Sequence, residues 1–311
     1  MEVIDYDQVW QRLPMRAAID ALDAALHATG IPEVPAREHL HHGAQELLLM
    51  PCFDSGAAGI KLVGIDADNP GRGLPRIHGV FVLLDAPGLV PAALLDARAL
   101  TALRTAAVSG VATRYLARHL TDAGRPVRLV VFGAGAQAHA HLLAMHAELP
   151  LADVRIVSRS PGSAEQLAEL ARPLLDVEVA LTGPEAVADA EVVCVCTSSP
   201  TPVFDGGSLL PGVHLNAVGA YRPDLQELDA TTVIGAEVVV ETREAAMREA
   251  GDLIAAERTG DWDRHQIRAD LTELVRDGRA VRTAPHQRTL FKSVGLAWED
   301  LVVARAVLAG T

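Results

Sequence analysis

A glycine-rich turn follows a strongly apolar segment near the middle of the chain. Gly133-Ala134-Gly135-Ala136-Gln137-Ala138 comes directly after Val127–Phe132 and opens a segment with helical periodicity. In such a turn, the first glycine permits a tight bend, the second lets a pyrophosphate approach the backbone, and a small third residue keeps the helix close to the sheet. The pattern predicts a dinucleotide site at Gly133, Gly135, Ala136 and Gln137. The alternative is a tight turn that binds no ligand.

A second polar segment, Ser158-Arg159-Ser160, lies about twenty positions further on, where this fold places the residue that contacts the ribose. A carboxylate there would select a free 2'-hydroxyl, and this chain has none. A guanidinium flanked by two hydroxyls suits a 2'-phosphate instead. We therefore expect NADPH as the cofactor, with NADH possible. The alternative is that Arg159 is a solvent-facing residue at a helix start.

The composition excludes several classes of protein. The chain has 311 residues, 50% of them hydrophobic, and a formal net charge of -13. Its length favours two domains with sizeable cores. Because the charge repels phosphodiesters and acidic lipids, we expect neither a nucleic-acid nor a membrane partner. The N-terminal residues have no features of a signal peptide, so we expect a cytoplasmic protein.

No metal site is expected from the cysteines or histidines. Of the three cysteines, Cys194 and Cys196 alternate within an apolar run, which favours a reduced and buried role. No histidines follow them at the spacing of a zinc site. The stretch His39-Leu40-His41-His42 is more typical of a solvated turn than of a ligand set.

The first part of the chain combines a helix with a meander. Residues 14 to 29 have apolar residues at helical spacing between Pro14 and Gly30. The short apolar runs 45–50, 59–63 and 79–84 predict strands that are mostly antiparallel. Residues 100 to 120 are again predicted to be helical.

From Val127 onward, apolar strands alternate with helices, which predicts a parallel sheet covered on both faces. The expected strands are 127–132, 154–157, 177–181, 191–197, 214–218 and 237–240. Residues 290 to 308 are predicted to be helical and to return to the first domain. The predicted domains are therefore 1–120 with 290–311, and 121–289.

Several motifs together resemble the ornithine cyclodeaminase and mu-crystallin family over nearly the whole chain. In order, they are Met50-Pro51, Ile60-Lys61-Leu62-Val63, Leu103-Arg104-Thr105-Ala106-Ala107, the glycine turn, Asn216-Ala217-Val218-Gly219-Ala220, Glu227-Leu228-Asp229, Phe291-Lys292-Ser293-Val294-Gly295 and Glu299-Asp300. The resemblance implies an α/β protein with a Rossmann doubly wound parallel sheet and an α+β substrate-binding and dimerisation domain. It also implies a homodimer with an active site in the cleft between the domains, acting on small amino, imino or keto acids.

The resemblance assigns the substrate carboxylate to Lys61 and Arg104, with Arg37 as a third basic residue at the substrate mouth. Physical reasoning agrees, because a carboxylate needs a cationic clamp and a guanidinium binds it bidentately. Lys61 lies in an apolar strand, where an unpaired ammonium is costly. Arg104 is expected in the opening turn of a helix, where the dipole disfavours a cation. The alternative for each is a structural ion pair.

The chain departs from the cyclodeaminases at three positions. Tyr221 stands where they have an aspartate that serves as the base, Leu48 where they have a glutamate, and Gly79 where they have a threonine. Because neutral Tyr221 and apolar Leu48 offer little for moving protons on and off an amine, ornithine cyclisation is disfavoured. Arg222-Pro223-Asp224 is similar to the mu-crystallin, or ketimine-reductase, branch.

The favoured hypothesis is an NAD(P)H-dependent reductase of a C=N bond next to a carboxylate, such as pyrroline-2-carboxylate or piperideine-2-carboxylate. Lys61 is the candidate proton donor, and Tyr221 could shape the pocket. One alternative is an amino-acid dehydrogenase or acyclic imino-acid reductase, and another is a non-catalytic NADPH-binding protein. The strand-end rule and the resemblance add cofactor contacts at Thr197, Ser198, Val218, Gly219 and Val294.

Overall fold

The computed structural model describes residues 1–310 except Glu33, Arg76, Pro87 and Ala123. The chain divides into two compact units. Unit 1 comprises Met1–Ala25, Thr29–Arg104 and Leu296–Thr311, and unit 2 comprises Leu26–Ala28 and Thr105–Gly295. The change of unit at Arg104 is earlier than the domain boundary near residue 120 expected from the sequence.

The elements of the first part of the chain are, in order, β1 (Glu2–Ile4), α1 (Tyr6–Arg12), α2 (Met15–Thr29), β2 (Glu38–His42), β3 (Gln45–Phe53), β4 (Ala57–Asp66), β5 (Ile77–Asp85), β6 (Val90–Asp96), α3 (Ala97–Leu116) and α4 (Arg118–Asp122). They continue with β7 (Val127–Phe132), α5 (Ala136–Glu148), β8 (Leu151–Val157), α6 (Pro161–Leu175), β9 (Glu178–Leu181), β10 (Val192–Val195), β11 (His214–Ala217), α7 (Ala230–Ile234), β12 (Ala236–Val240), α8 (Arg243–Glu249), α9 (Gly251–Thr259), β13 (Ala269–Asp270), α10 (Leu271–Val275), β14 (Arg288–Lys292) and α11 (Ala297–Ala309).

Unit 1 is built on a sheet whose order within the described residues is β1-β6-β5-β4-β3-β2. The pairs from β2 to β6 are antiparallel, as predicted, and β1 joins β6 in parallel. Helix α11 packs against β3, β4 and β5. The sheet therefore buries the face on which β3, β4 and β5 contact this helix.

Unit 2 contains a parallel sheet of order β13-β12-β14-β11-β10-β7-β8-β9 among the described residues. Its central strands are buried on both faces; all four residues of β10 and of β11 are buried. The chain runs outward from β7 to β8 and β9, then returns to β10 on the other side of β7. The order of the strands therefore reverses at β7, which is where ligands bind in open parallel sheets.

The C-terminal segment differs from the prediction of a helix over 290–308. Residues Arg288–Lys292 form β14, which lies between β11 and β12 in the sheet of unit 2, and the helix starts only at Ala297. Residues up to Gly295 lie in unit 2, and Leu296–Thr311 lie in unit 1. Thr289, Leu290 and Phe291 are all buried, and a short run buried on both sides has no periodicity that separates a strand from a helix.

The stretch His39–His42, expected to be a turn, belongs to strand β2, which pairs with β3 at the edge of its sheet. Every residue of β2 is exposed, so the strand lacks the apolar alternation by which strands are recognised. Among the helices that the structure describes, none is both long and apolar enough to span a bilayer.

Candidate active site

Lys61 lies on β4 in unit 1, on the face of the sheet that α11 covers. In the register of β3, β4 and β5 it is flanked by Met50 on one side and Phe81 on the other, and its side chain is 2% exposed. A buried ammonium needs partners. Its Nζ lies 2.7 Å from Oδ2 and 3.0 Å from Oδ1 of Asp300, and it also donates to Thr101 Oγ1 at 3.2 Å.

Arg104 reaches the same carboxylate from α3. Its Nε donates to Asp300 Oδ1 at 3.1 Å, and its Nη1 donates to Glu299 Oε2 at 2.6 Å. All three of these side chains are buried. Asp300 is thus shared by two cations, which fixes Lys61 and Arg104 next to each other.

The position of Arg104 corrects one argument from the sequence. Helix α3 begins at Ala97 rather than near residue 100, so Arg104 lies about two turns into the helix and not in its opening turn. The helix dipole therefore does not explain its pairing; burial of the guanidinium does.

Glu299 and Asp300 lie in the first turn of α11, where the helix dipole favours acidic side chains. The pair belongs to the motifs that carry the family resemblance, but its place in the site is visible only in the structure. Two adjacent acids at the start of an otherwise apolar helix could have indicated a role in the site. Acids that become buried in such a helix need cationic partners.

Burial, with the positive charges of Arg104 and Arg37, lowers the pKa of Lys61 to about 8 against the opposing effect of Asp300. Arg37 is half-buried and directly precedes β2. Because both arginines lower this pKa, they contribute positive electrostatic potential at Lys61 Nζ. An additional anion, such as a carboxylate, would be stabilised there.

Leu48 and Gly79, two of the departures from the cyclodeaminases, are placed by register on the same face of the sheet as Lys61. Both pair with Val63, which lies two residues from Lys61 along β4. Leu48 is buried. A Cβ atom on Gly79 would lie 2.5 Å from the carbonyl oxygen of Leu62 and 3.0 Å from Cβ of Ala97. Glycine is therefore required where the start of α3 approaches the sheet.

The glycine turn in unit 2 has the geometry expected of a dinucleotide site. Gly133 has φ +110°, and a Cβ atom there would lie 2.6 Å from the carbonyl oxygen of Cys196, so a side chain is excluded. At Gly135, by contrast, a Cβ would meet nothing within 4 Å among the described residues. Gly135 is the N-cap of α5, and no side chain in the described residues caps that helix. Ala138 is fully buried, as close packing of the helix requires.

These features are compatible with the pyrophosphate site predicted from the sequence. Because no described side chain caps α5, the backbone N–H groups at its start are suited to donate hydrogen bonds to an anion. Ala136 is exposed and Gln137 half-buried at this helix start.

Ser158, Arg159 and Ser160 follow β8, the strand next to β7. Ser160 is the N-cap of α6 and accepts from Ser163 N, and its own N–H donates to Ser158 Oγ at 3.2 Å. Arg159 is exposed and makes no ion pair within the part of the chain that the structure describes. The N-cap role of Ser160 accounts for one serine without a ligand, whereas the guanidinium is available to one.

The loops after β10 and β11 are joined by one buried carboxylate, Glu227. Its Oε1 accepts from Thr197 N at 2.6 Å and Thr197 Oγ1 at 2.8 Å. Its Oε2 accepts from Gly219 N at 2.6 Å and Ala220 N at 2.8 Å. A Cβ atom at Gly219 would lie 1.7 Å from the carbonyl oxygen of Thr197, so the two loops are in direct contact. Thr197 and Gly219 are thus positioned by Glu227.

A buried chain of charges supports Glu227. Asp252 Oδ1 accepts from the N–H groups of Glu227 at 2.7 Å and Leu228 at 2.9 Å, and Asp252 Oδ2 lies 2.8 Å from Lys292 Nζ on β14. Burial raises the pKa of Glu227 to about 7, while Lys292 and the hydrogen bonds from Thr197 lower it and Asp252 raises it. These contacts of Glu227 were not predicted from the sequence. Lys292, a lysine at the end of an apolar segment, could have indicated a buried acidic partner.

The remaining predicted cofactor residues lie at the same carboxyl edge of the sheet. Val218 donates its N–H to Val195 O at 3.0 Å, and Ser198 is exposed after β10. Val294 follows β14 and donates its N–H to Glu241 Oε2 at 2.9 Å. Tyr221 is half-buried in the loop after β11, where its N–H donates to Gly219 O at 3.1 Å.

The chain is similar to known proteins over most of its length. The model of the ornithine cyclodeaminase/mu-crystallin family matches residues 3–309. A Delta(1)-pyrroline-2-carboxylate reductase of Bacillus cereus is 36% identical over 263 residues, which cover 83% of this chain and 79% of that protein.

Two solved structures are similar over the whole chain. The Delta(1)-pyrroline-2-carboxylate reductase of Thermococcus litoralis, solved with NADH and L-proline, has a TM-score of 0.92 and 31% identity and covers 100% of this chain and 97% of its own. An archaeal alanine dehydrogenase dimer with bound NAD has a TM-score of 0.91 and 27% identity, with 100% and 95% covered. The fold, with its parallel dinucleotide-binding sheet, is the one predicted from the sequence, and the chain belongs to the ornithine cyclodeaminase/mu-crystallin family.

Proposed function

We propose that the protein is an NAD(P)H-dependent reductase of a C=N bond adjacent to a carboxylate. The substrate class is a cyclic ketimine such as pyrroline-2-carboxylate or piperideine-2-carboxylate. The observation behind this proposal is the buried pair Lys61 and Arg104, which Asp300 holds side by side. Similarity to pyrroline-2-carboxylate reductases supports the same substrate class.

Arg104 and Lys61 would bind the substrate carboxylate, with Arg37 adding positive charge. A guanidinium binds a carboxylate bidentately, which orients the ring and therefore the C=N bond. The ion pairs of Arg104 and Lys61 with Glu299 and Asp300 keep both cations in place before substrate arrives.

Reduction of the imine adds a hydride to carbon and a proton to nitrogen. A nicotinamide bound by unit 2 would supply the hydride. Lys61 is our candidate for the proton donor, because with a pKa of about 8 its ammonium is present at neutral pH yet releases a proton more readily than an ordinary lysine. Asp300 accepts a hydrogen bond from Lys61 Nζ and keeps that ammonium oriented.

In unit 2, the dinucleotide would contact residues at the carboxyl edge of the sheet: Gly133, Gly135, Ala136, Gln137, Ser158, Arg159, Ser160, Thr197, Ser198, Val218 and Val294. The exposed guanidinium of Arg159 could bind the 2'-phosphate of NADPH, which favours NADPH over NADH. NADH stays possible, since the similar solved structures were obtained with NADH or NAD.

Cyclodeamination is disfavoured by the residues that replace the family's acids. Leu48 is buried and apolar, and Tyr221 stands in the loop after β11 where a cyclodeaminase has aspartate. We propose that Tyr221 shapes the pocket rather than acting as a base. We further propose a homodimer, as in the similar alanine dehydrogenase, and a cytoplasmic location.

The test is NADPH and NADH oxidation against preformed pyrroline-2-carboxylate and piperideine-2-carboxylate, compared with pyruvate plus ammonia. The proposal expects faster turnover of the cyclic imines. Oxidation only with ammonia and a keto acid would favour the amino-acid dehydrogenase. NADPH binding without oxidation of any substrate would favour a non-catalytic protein.

A further inference from the structure

A cluster of two histidines and a glutamate lies on the hairpin of β2 and β3, and none of the three is assigned above to substrate or cofactor. His39 and His41 alternate along β2, so their side chains are on the same face of the strand. Glu46 on β3 is the register partner of His41 and therefore shares that face. The ligand atoms of these three residues all lie within 4.8 Å of one another.

The three side chains lie close to one another. The rings of His39 and His41 are stacked, with an interplanar angle of 15° and centroids 6.2 Å apart. Nδ1 of His39 lies 2.5 Å from Oε1 of Glu46. The His39 imidazole and the Glu46 carboxylate are thus already in contact, and the ligand atoms of all three residues lie within 4.8 Å of one another.

The chemistry of this donor set matches divalent transition metals. Zn²⁺ binds imidazole nitrogen and carboxylate oxygen at about 2.0–2.2 Å, and three protein ligands leave a fourth position to water. Imidazole also suits Cu²⁺ and Ni²⁺. The net charge of -13 raises the local concentration of cations near the protein. Since both histidines are exposed, their rings can rotate to close the remaining distance to a metal.

The histidines, expected from the sequence to form a turn without ligand function, lie in strand β2. A turn gives consecutive histidines no common direction, whereas in strand β2 the alternation groups His39 with His41 and sends His42 to the opposite face. We propose that His39, His41 and Glu46 form a surface site for a divalent transition metal, with Zn²⁺ as the probe. A metal bound there joins the edge strand β2 to β3.

The experiment is calorimetric titration of Zn²⁺ into the tag-free full chain, repeated with Co²⁺ to record its visible absorption. The wild type is expected to take up one equivalent per chain at this site. His39→Ala, His41→Ala and Glu46→Gln should each weaken that binding by about tenfold or more, a loss of about 1.4 kcal/mol. His42→Ala is the matched control, since His42 is equally exposed on the same strand, and it should bind as the wild type does.

Three results would overturn the proposal: no uptake by the wild type, an equal loss in His42→Ala, or retention of wild-type affinity in any of the three ligand variants. Because all four side chains lie on the outer hairpin, thermal midpoints measured without metal should match the wild type. Where a variant has a lowered thermal midpoint, a substitution by Asn at the same position is used instead. Asn keeps the polarity and tests the same ligand.

Discussion

Lys61 and Asp300 form an ion pair between β4 and α11, with Nζ 2.7 Å from Oδ2 and both side chains buried. The same carboxylate accepts from Arg104. One acid therefore sets the spacing of the two cations assigned to the substrate. Removing one partner of such a buried pair leaves an uncompensated charge and costs about 3–5 kcal/mol.

The first prediction concerns the pH dependence of kcat/KM. If the Lys61 ammonium donates the proton, activity is retained below its pKa of about 8 and falls as the pH rises through that value. Asp300→Asn removes the charge that raises this pKa, so the alkaline limb should move to lower pH. Asp54→Asn, which removes the partner of Arg305 in the same unit, is the control and should leave the limb unchanged. An unshifted limb in Asp300→Asn would contradict the assignment.

The second prediction concerns Gly79. Gly79→Thr, the residue of the cyclodeaminases, should destabilise the protein by about 1–3 kcal/mol, because its Cβ would lie 2.5 Å from Leu62 O. Gly64→Ala on the neighbouring strand is the matched control, since the nearest atom to its Cβ is 4.0 Å away. Denaturant unfolding of both variants measures the difference. Equal stability of the two would show that the sheet and α3 are not in close contact at Gly79.

The third prediction separates folding from cofactor binding in the glycine turn. Gly135→Ala should leave the midpoint of thermal unfolding near that of the wild type, because its Cβ meets nothing within 4 Å in the described residues. It should weaken NAD(P)H binding, because a pyrophosphate approaches the backbone there. Gly133→Ala should instead lower the midpoint, because its Cβ would lie 2.6 Å from Cys196 O. Unaltered affinity in Gly135→Ala would place the pyrophosphate elsewhere.

The fourth prediction concerns Glu227. The two carboxylate oxygens of Glu227 accept four hydrogen bonds from the loops of Thr197 and Gly219. Protonation of this carboxylate removes acceptor capacity and therefore weakens the link between the two loops. With a pKa of about 7, binding of NAD(P)H should weaken as the pH falls from 8 to 6. Glu227→Gln should bind weakly at both pH values in a fluorescence titration.

Unfolding does not explain that loss of affinity. A carboxyl whose pKa is raised by the fold stabilises it at acid pH and loses this contribution as the pH rises through about 7. The charged groups that face Glu227 are Lys292 and Asp252, and the Cys196 thiol also interacts with it. Glu244→Gln is the control, since Glu244 is 91% exposed. Wild-type affinity in Glu227→Gln at both pH values would refute the positioning role.

Local sequence patterns predicted much of the fold and less of the site. The glycine turn and the meander follow from short-range rules of turn chemistry and alternation. Strand β14 lies where the sequence predicts a helix, because a short run buried on both faces has no period that distinguishes the two. The partner of Lys61 lies 239 residues away, so only the folded chain shows that Asp300 joins it to Arg104.

The central claim, that Lys61 and Arg104 orient a carboxylate beside a C=N bond, is tested most directly by two substrates that differ only in that group. We would measure kcat/KM of the wild type for pyrroline-2-carboxylate and for 1-pyrroline, which lacks the carboxylate, and repeat both with Arg104→Lys. Arg305→Gln, which loses an exposed ion pair on α11, serves as the control. The account predicts a preference for the carboxylate of about a hundredfold in the wild type and the control, equivalent to about 2.7 kcal/mol, and a reduced preference in Arg104→Lys. Equal kcat/KM for the two substrates in the wild type would contradict it.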